Sequence, residues 1–256
     1  MLYKTLSGKK ALLLLLIFAL ALGLTLWALS ALGMDLSRIV SSARLVPVYS
    51  VETDRPAVAL GINCAWDDAD IPDILAALES RGVRATFFVV GEWCERCPES
   101  LAAIYAAGHE LGSHSDTHPD MSTLDEAAVR RELDGCAAKI KAVTGEQPIL
   151  FRPPSGAYCN TLIETAQAMG YYVIQWSLDS IDWKGLSAEE LYARIVPKAV
   201  RGDILLFHSG ATHTAEALPE ILDGLAARGL EVTPVSELIY RDNYIIDHTG
   251  KQRPAA

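Results

Sequence analysis

The sequence predicts an α/β barrel that follows a single apolar N-terminal segment. Half of the 256 residues are apolar and 21% are charged, which excludes a disordered chain and allows a large buried core. After Pro56, short β-branched runs alternate with helical patterns, as in consecutive βαβ units. Seven such strands in about 180 residues fit a closed or nearly closed barrel better than an open sheet with two domains.

The N-terminal segment reads as a membrane anchor. Residues 11–34 carry no charge, and the run is long enough to span a bilayer at about 1.5 Å per residue. Three lysines precede it, so residues 1–10 are expected in the cytoplasm and the body of the chain outside the cell membrane. The alternative is a cleaved signal peptide, whose apolar core usually spans only about 7 to 15 residues. We therefore expect an uncleaved, single-pass transmembrane helix.

The remaining chain divides into three predicted parts. Residues 35–56 are polar and irregular and read as a linker, 57–240 form the folded domain, and 241–256 form a tail. The expected strands are Val58–Ile62, Ala85–Val90, Glu110–His114, Ile149–Arg152, Tyr171–Leu178, Asp203–His208 and Glu231–Val235. The expected helices are Ile71–Ser80, Leu124–Val143, Thr161–Met169, Ala188–Val200 and Thr214–Ala227.

Charge and cysteine content restrict the partners and cofactors. A net charge of −10 disfavours nucleic acid and anionic membrane surfaces, because phosphate contacts need clustered lysine and arginine. The five cysteines are an odd number and do not form a complete disulfide framework. Cys94 and Cys97 are expected to form a local disulfide or to be two free thiols, since a four-ligand zinc site would need a second such pair.

Two histidines directly after a predicted strand suggest a metal site. His114 and His118 would share a face if the segment formed a helical turn, and could then hold one divalent ion. Surface histidines are the alternative. A third ligand is needed, and carboxylates follow the first strand at Asp67, Asp68 and Asp70. These acids could equally form a solvated turn and helix N-terminus.

Three further strand ends carry polar groups. Arg152 lies in a proline-rich loop, where it could fix a carboxylate or form a structural salt bridge. Asp179, Asp182 and Trp183 follow the fifth strand and could cap a helix or form a binding wall. His208 ends an apolar strand, and is either a core histidine or, if an acid tunes it, a general acid.

These motifs together resemble a known family. The stretches His114-Ser115-xx-His118, Phe151-Arg152-Pro153-Pro154, Asp179-xx-Asp182-Trp183 and Leu205-Leu206-Phe207-His208 occur in the order of four polysaccharide deacetylase motifs, and Ala85–Gly91 is a further landmark. From about residue 58 to 238 the chain resembles deacetylases of the NodB-homology type, above all their sporulation-associated and clostridial branch. The resemblance implies a distorted (β/α)7 barrel and a divalent metal, usually zinc. It also implies removal of N-acetyl groups from an amino-sugar polymer such as peptidoglycan or chitin.

The resemblance also implies roles for individual residues. His114 and His118 would bind the metal, with Asp68 as the expected third ligand and Cys64 as its rival. Arg152 would orient the catalytic base. Asp182 would tune His208, which would protonate the leaving amine. The substrate contacts would come from Trp183, Leu206 and Pro154.

The sequence departs from the family at the position of the base. The family expects an aspartate that the arginine orients, whereas this chain has Asn63 there, followed by Cys64. An amide cannot accept a proton from water near neutral pH. We therefore expect a weak deacetylase or one that uses a substitute acid such as Asp67 or Asp68. The alternatives are an inactive relative that binds cell-wall glycan or an envelope partner, and a different C–N hydrolysis on the same scaffold.

Overall fold

The structure, a computed structural model, describes residues 8–31 and 44–255. The chain divides into two compact units, Met1–Arg44 and Leu45–Ala256. Among the described residues, the first unit contains one helix, and the second contains the strands and the other helices.

The helix of the first unit, α1, spans Gly8–Ala31. Several of its apolar side chains are exposed, for example Leu15 and Phe18. A search of the described ranges finds no helix whose length and hydropathy together suffice to cross a membrane. Residues 32–43, with the end of the expected anchor and the first nine residues of the expected linker, lie outside the described residues. The anchor stays a prediction.

The second unit is built on a curled, parallel sheet. Its strands are β2 (Ala57–Cys64), β3 (Thr86–Val89), β4 (Glu110–Ser113), β5 (Leu150–Phe151), β6 (Tyr172–Val173), β7 (Leu178–Asp179), β8 (Ile204–His208) and β9 (Glu231–Thr233). Their order is β6-β5-β4-β3-β2-β8-β7, and β9 pairs with the first half of β2. All eight residues of β2 are buried, as expected for the central strand of a sheet covered on both faces. The α/β class is therefore confirmed.

The expected strand Tyr171–Leu178 is two strands at opposite edges of the sheet. β6 pairs with β5, whereas β7 pairs with β8. The residues between them cross from one edge to the other, and Val48 bridges Ile174 on the way. The residue pattern does not reveal this break, because strand-forming residues such as Tyr172, Val173 and Leu178 lie on both sides of it. The sheet thus curls towards a barrel, and connecting chain spans the gap between its edges.

The folded unit is larger at both ends than the expected domain, 57–240. β1 (Ser50–Val51) pairs in parallel with β11 (Lys251–Pro254), which pairs with β10 (Tyr244–Ile246). The linker and tail expectations are thus corrected for 45–56 and 241–255. Polar composition suggested exposed segments, but the two ends satisfy their backbone groups by pairing with each other.

The helices of the second unit are α2 (Ile71–Glu79), α3 (Gly91–Arg96), α4 (Pro98–Ala106), α5 (Glu126–Thr144), α6 (Asn160–Ala168), α7 (Ala188–Ile195), α8 (Thr214–Ala227) and α9 (Val235–Leu238). Local chemistry sets several of their ends. Asp125 caps α5, and Gly145 ends it in the left-handed conformation. Ser187 and Glu190 form a capping box at α7. The five expected helices are present, with ends shifted by a few residues.

The cysteines are thiols embedded in the domain. All five are free, and four are buried, including Cys94 and Cys97. Cys64 packs in the main core on the face of β2 opposite to Asn63. Burial raises the pKa of the Cys64 thiol to about 12, so it is protonated at neutral pH.

We expect the C-terminal strand to contribute to stability through Gln252. Its buried side chain accepts from the Tyr240 N–H (2.8 Å) and donates to the Tyr240 carbonyl (2.7 Å). Gln252→Ala leaves both groups unpaired and should lower the free energy of unfolding by about 2 kcal/mol in urea titrations. The neighbouring, exposed Arg253→Ala should change it by less than about 1 kcal/mol. An effect of Gln252→Ala as small as that of Arg253→Ala would show that the C-terminal strand does not contribute to the stability of the fold.

We expect Cys64 to resist alkylation in the folded protein. Thiolates react and thiols do not, and a pKa of about 12 leaves Cys64 protonated at about pH 8. Iodoacetamide followed by mass spectrometry should label Cys64 only after unfolding, whereas the half-buried Cys159 should label in the native state. Fast native labelling of Cys64 would reveal a thiolate and reopen its role as a metal ligand.

Candidate functional site

A cavity of about 370 Å³ opens at the carboxyl ends of the strands, where parallel sheets place their functional groups. Its lining comes from the ends of β2 and β8, from the loops after β2, β4 and β5, and from the segment around β7. The lining residues are Asn63, Ala65, Trp66, His114, His118, Ser155, Trp176, Asp179, Trp183, Leu206 and His208.

The two histidines expected to bind metal lie side by side. The ring centroids of His114 and His118 are 4.9 Å apart, and the planes meet at 72°. Nδ1 of His114 donates to the carbonyl of Arg152 (2.7 Å), which leaves Nε2 as the acceptor of the neutral ring. Burial lowers the pKa of His114 well below its ordinary value, and lowers that of His118 as well. Both rings are therefore neutral and suited to ligation.

A left-handed loop, not the expected helical turn, brings these rings together. Ser115 and His118 have φ of 68° and 59°, and the Ser115 hydroxyl accepts from the His118 N–H (2.9 Å). Glu132 on α5 secures the loop by accepting from the N–H groups of Asp116 and Thr117, both at 2.9 Å. The two rings therefore lie together as the spacing predicted, but through a different backbone geometry.

The arginine and the residue at the base position are in contact, as expected. Nη1 of Arg152 donates to Asn63 Oδ1 (3.0 Å), and Nη2 donates to the Gln175 carbonyl (3.3 Å). The guanidinium is fully buried over the Phe88 ring, 4.0 Å from its centroid. Burial lowers the pKa of Arg152 to about 9, which keeps it charged at neutral pH. No acid within the described ranges forms an ion pair with it.

The proposed general acid is fully oriented. Nδ1 of His208 donates to Asp182 Oδ1 (2.7 Å). The second oxygen of Asp182 accepts from the His208 N–H and the Thr214 hydroxyl, both at 2.7 Å. Trp66 stacks on the His208 ring, with centroids 5.3 Å apart. Nε2 of His208 is thus the nitrogen available to a ligand in the cavity, as a general acid requires.

The walls of the cavity are apolar and aromatic. Leu206 and Trp183 line it as expected, and 52% of Trp183 is exposed to solvent. Pro154 does not line it, which corrects the expected substrate contact. The tight turn at 154–156 buries Pro154 and places Ser155, with φ of 53°, at the cavity instead.

The third metal ligand expected from the sequence is not in place. Asp68 accepts from the Ser100 hydroxyl (2.6 Å) at the start of α4 and does not line the cavity. Its rival, Cys64, is a protonated thiol in the core. Within the described residues, no group of three or more His, Cys, Asp or Glu side chains is arranged to hold a metal ion. Two imidazoles fall short of the usual three protein ligands, so a catalytic metal does not fit this donor set.

Three contributors were missed by sequence reasoning. Trp176 lies in the expected strand Tyr171–Leu178, which is broken, and Ser155 directly follows the proline-rich motif that contains Arg152. Glu132 lies on a helix, and no local pattern connects it to the histidine loop. A tryptophan in the middle of a long apolar run is the signal that could have located the break.

Comparison with known proteins supports the resemblance. The family model for polysaccharide deacetylases matches residues 50–174. A peptidoglycan-N-acetylglucosamine deacetylase of Bacillus cereus is 31% identical over 75% of this chain and 92% of its own. The uncharacterized protein YlxY of Bacillus subtilis is 33% identical over 75% of this chain, which covers 60% of that protein's length.

A solved structure with the same fold is described as a pseudoenzyme. BA3943 of Bacillus anthracis, described as a family 4 carbohydrate esterase pseudoenzyme, matches with a TM-score of 0.73 and 34% identity over 75% of this chain and 68% of its own. A mutant of that protein is described as having restored enzymatic activity. With this fold, these motifs at the strand ends and these relatives, the chain belongs to the polysaccharide deacetylase family of hydrolases.

Proposed function

We propose that the protein binds an N-acetylated amino-sugar polymer of the cell envelope, of the peptidoglycan or chitin type, and removes its acetyl groups slowly. The observation that carries the proposal is the Asp182–His208 pair, in which the two side chains are hydrogen-bonded and His208 lines the cavity. A histidine held by a buried acid can donate a proton to the leaving amine, and this step limits amide hydrolysis near neutral pH. The relatives named as peptidoglycan deacetylases support the choice of polymer.

The shape of the cavity supports a small acyl group on a sugar. Leu206 and Trp183 offer an apolar slot, which suits the methyl of an acetamide. Trp66 and Trp183 are both about half exposed beside it, and flat aromatic faces suit the apolar faces of sugar rings. The likeness to the sporulation-associated and clostridial branch stays a prediction.

The slow rate follows from Asn63. Hydrolysis needs a group that takes a proton from the attacking water, and the Asn63 amide cannot do this. Arg152 already lies within hydrogen-bonding distance of this side chain. The zinc ion that the family resemblance implies is not part of the proposal for this chain, because the described residues bring no third ligand to the two histidines.

A second candidate is a binding protein without turnover. It is favoured by the simultaneous loss of two acidic family positions, now Asn63 and Cys64. The likeness to a protein described as a pseudoenzyme also favours it. In that case the tryptophan walls would bind cell-wall glycan and His208 would have no catalytic role.

We further propose that the domain lies outside the cell membrane, held by the apolar N-terminal segment. The support is sequence-based: residues 11–34 are uncharged, and three lysines precede them. This placement would give the site access to cell-wall polymer.

We expect Asn63→Asp to increase acetate release from acetylated chitooligosaccharide or peptidoglycan by at least about tenfold. The new carboxylate would accept from Arg152 and take the proton from water, a contribution typically worth about 10²–10⁴-fold. His208→Gln in the same background should abolish the gain. The matched control Asn160→Asp adds the same charge outside the cavity and should change nothing. Neither the wild type nor Asn63→Asp releasing acetate, while both bind glycan, would favour the binding protein.

We expect membrane-impermeant maleimide to distinguish the two sides of the membrane. In intact cells, and in a background with Cys159→Ser that removes the half-buried native thiol, it should label Glu79→Cys, at an exposed position of α2, and should label Lys10→Cys only after lysis. Label on Lys10→Cys before lysis, or none on Glu79→Cys, would contradict the proposed orientation.

A further inference from the structure

The carboxylate of Asp179 lines the cavity but belongs to none of the three pairs His114–His118, Arg152–Asn63 and Asp182–His208. Among the described residues that line it, Asp179 is the one acid. Its Oδ1 accepts from the Ile181 N–H (2.7 Å), and the structure gives Oδ2 no hydrogen-bond partner within the described part of the chain. The backbone of Asp179 is fixed as well, because its carbonyl accepts from Arg194 Nε (2.7 Å).

Strand register places this carboxylate on the face of the sheet that carries the site. Asp179 on β7 pairs with Leu206 on β8, and Leu206 pairs with Gly61 on β2. Residues in register on neighbouring parallel strands point to the same face. Asn63 and His208 pair two residues further on, so Asp179 lies one layer below the position of the family's base.

Electrostatics also connect Asp179 with the arginine. Burial lowers the pKa of Arg152, and the negative charge of Asp179 opposes this shift. The partner in direct contact with Nη1 is the neutral Asn63. Asp179 is thus the acid whose charge acts on the guanidinium that orients the base in this family.

The other acids near the site are engaged elsewhere. Asp68 accepts from Ser100, and both oxygens of Asp70 accept from the Gly210 N–H at 2.9 Å. Asp182 is saturated by His208, Trp183 and Thr214. Asp67 is exposed and outside the lining. This rules against Asp67 and Asp68 as substitute bases.

We propose that Asp179 is the general base of this chain, in place of the residue that Asn63 replaces. The inference rests on the proposed deacetylation. The Asp179 carboxylate takes a proton from water while the water oxygen bonds to the acetamide carbon. The C–N bond then breaks as protonated His208 gives its proton to the amine, so acetic acid and a free amino sugar leave. Asp179 then releases its proton to solvent and His208 takes one up, which restores both groups.

The test compares Asp179→Asn with the wild type, Asn63→Asp and the double variant Asn63→Asp/Asp179→Asn. Asparagine still accepts from the Ile181 N–H, so the loop is preserved. Acetate release from acetylated chitooligosaccharide gives kcat and KM, and tryptophan fluorescence gives Kd for the sugar. The matched control Asp223→Asn changes an exposed acid on α8 that pairs with Arg81.

We expect Asp179→Asn to lower kcat by about tenfold or more, with KM and Kd unchanged and with Asp223→Asn equal to the wild type. The double variant should match Asn63→Asp, which also shows that the asparagine at 179 permits folding. Unchanged kcat in Asp179→Asn, or a rise in KM alone, would overturn the base assignment. If the wild type releases no acetate but Asn63→Asp does, the base assignment is overturned, whereas the assignment of the site to deacetylation is not. If neither releases acetate, the proposed function is overturned as well.

Discussion

The buried guanidinium of Arg152 is the group around which the site is arranged. It is fully buried beneath the cavity, and its neighbours provide the space and the contacts that it needs. Gly61 leaves the necessary space, since a Cβ there would lie 2.5 Å from Nη2. Phe88 supplies an aromatic face, and the Gln175 carbonyl supplies an acceptor from the crossing between the sheet edges. A buried charge of this kind is costly unless its surroundings are fixed, so it constrains strands on both sides of the cavity.

Against this constraint, the exchange of aspartate for asparagine that the family resemblance implies at Asn63 is a change of charge more than of shape. The amide accepts from Arg152, and the Asp182–His208 pair is intact. In the proposed reaction, the group that protonates the leaving amine is therefore present, whereas the residue expected to activate water is altered. Cys64, at the metal position that the resemblance implies, follows Asn63 at the end of β2. Residual chemistry must then depend on other groups in the cavity, of which Asp179 is the acidic one among the described residues.

Sequence reasoning located most of the site because its residues sit at strand ends. Parallel strands bring their carboxyl ends together, so His114, Arg152 and His208 could be grouped without coordinates. The predictions that failed concern residues in loops, where the direction of the chain after the strand end decides where a side chain lies. Asp68 is only five residues from Asn63, but the loop turns it towards Ser100 on α4. The break within Tyr171–Leu178 was equally hidden, because strand-forming residues lie on both sides of it although the two halves pair at opposite edges.

The pairing of β1 with β11 has a mechanical consequence. The strands run parallel, with Ser50 opposite Lys251 and Val51 opposite Gln252. A force applied through the N-terminal side of Ser50 would act along the strand axis, so it would shear these hydrogen bonds together and not open them one by one. Resistance to such a pull is greatest in this loading geometry. The buried Gln252, which holds β11 to the Tyr240 backbone, would then transmit the load into the body of the domain.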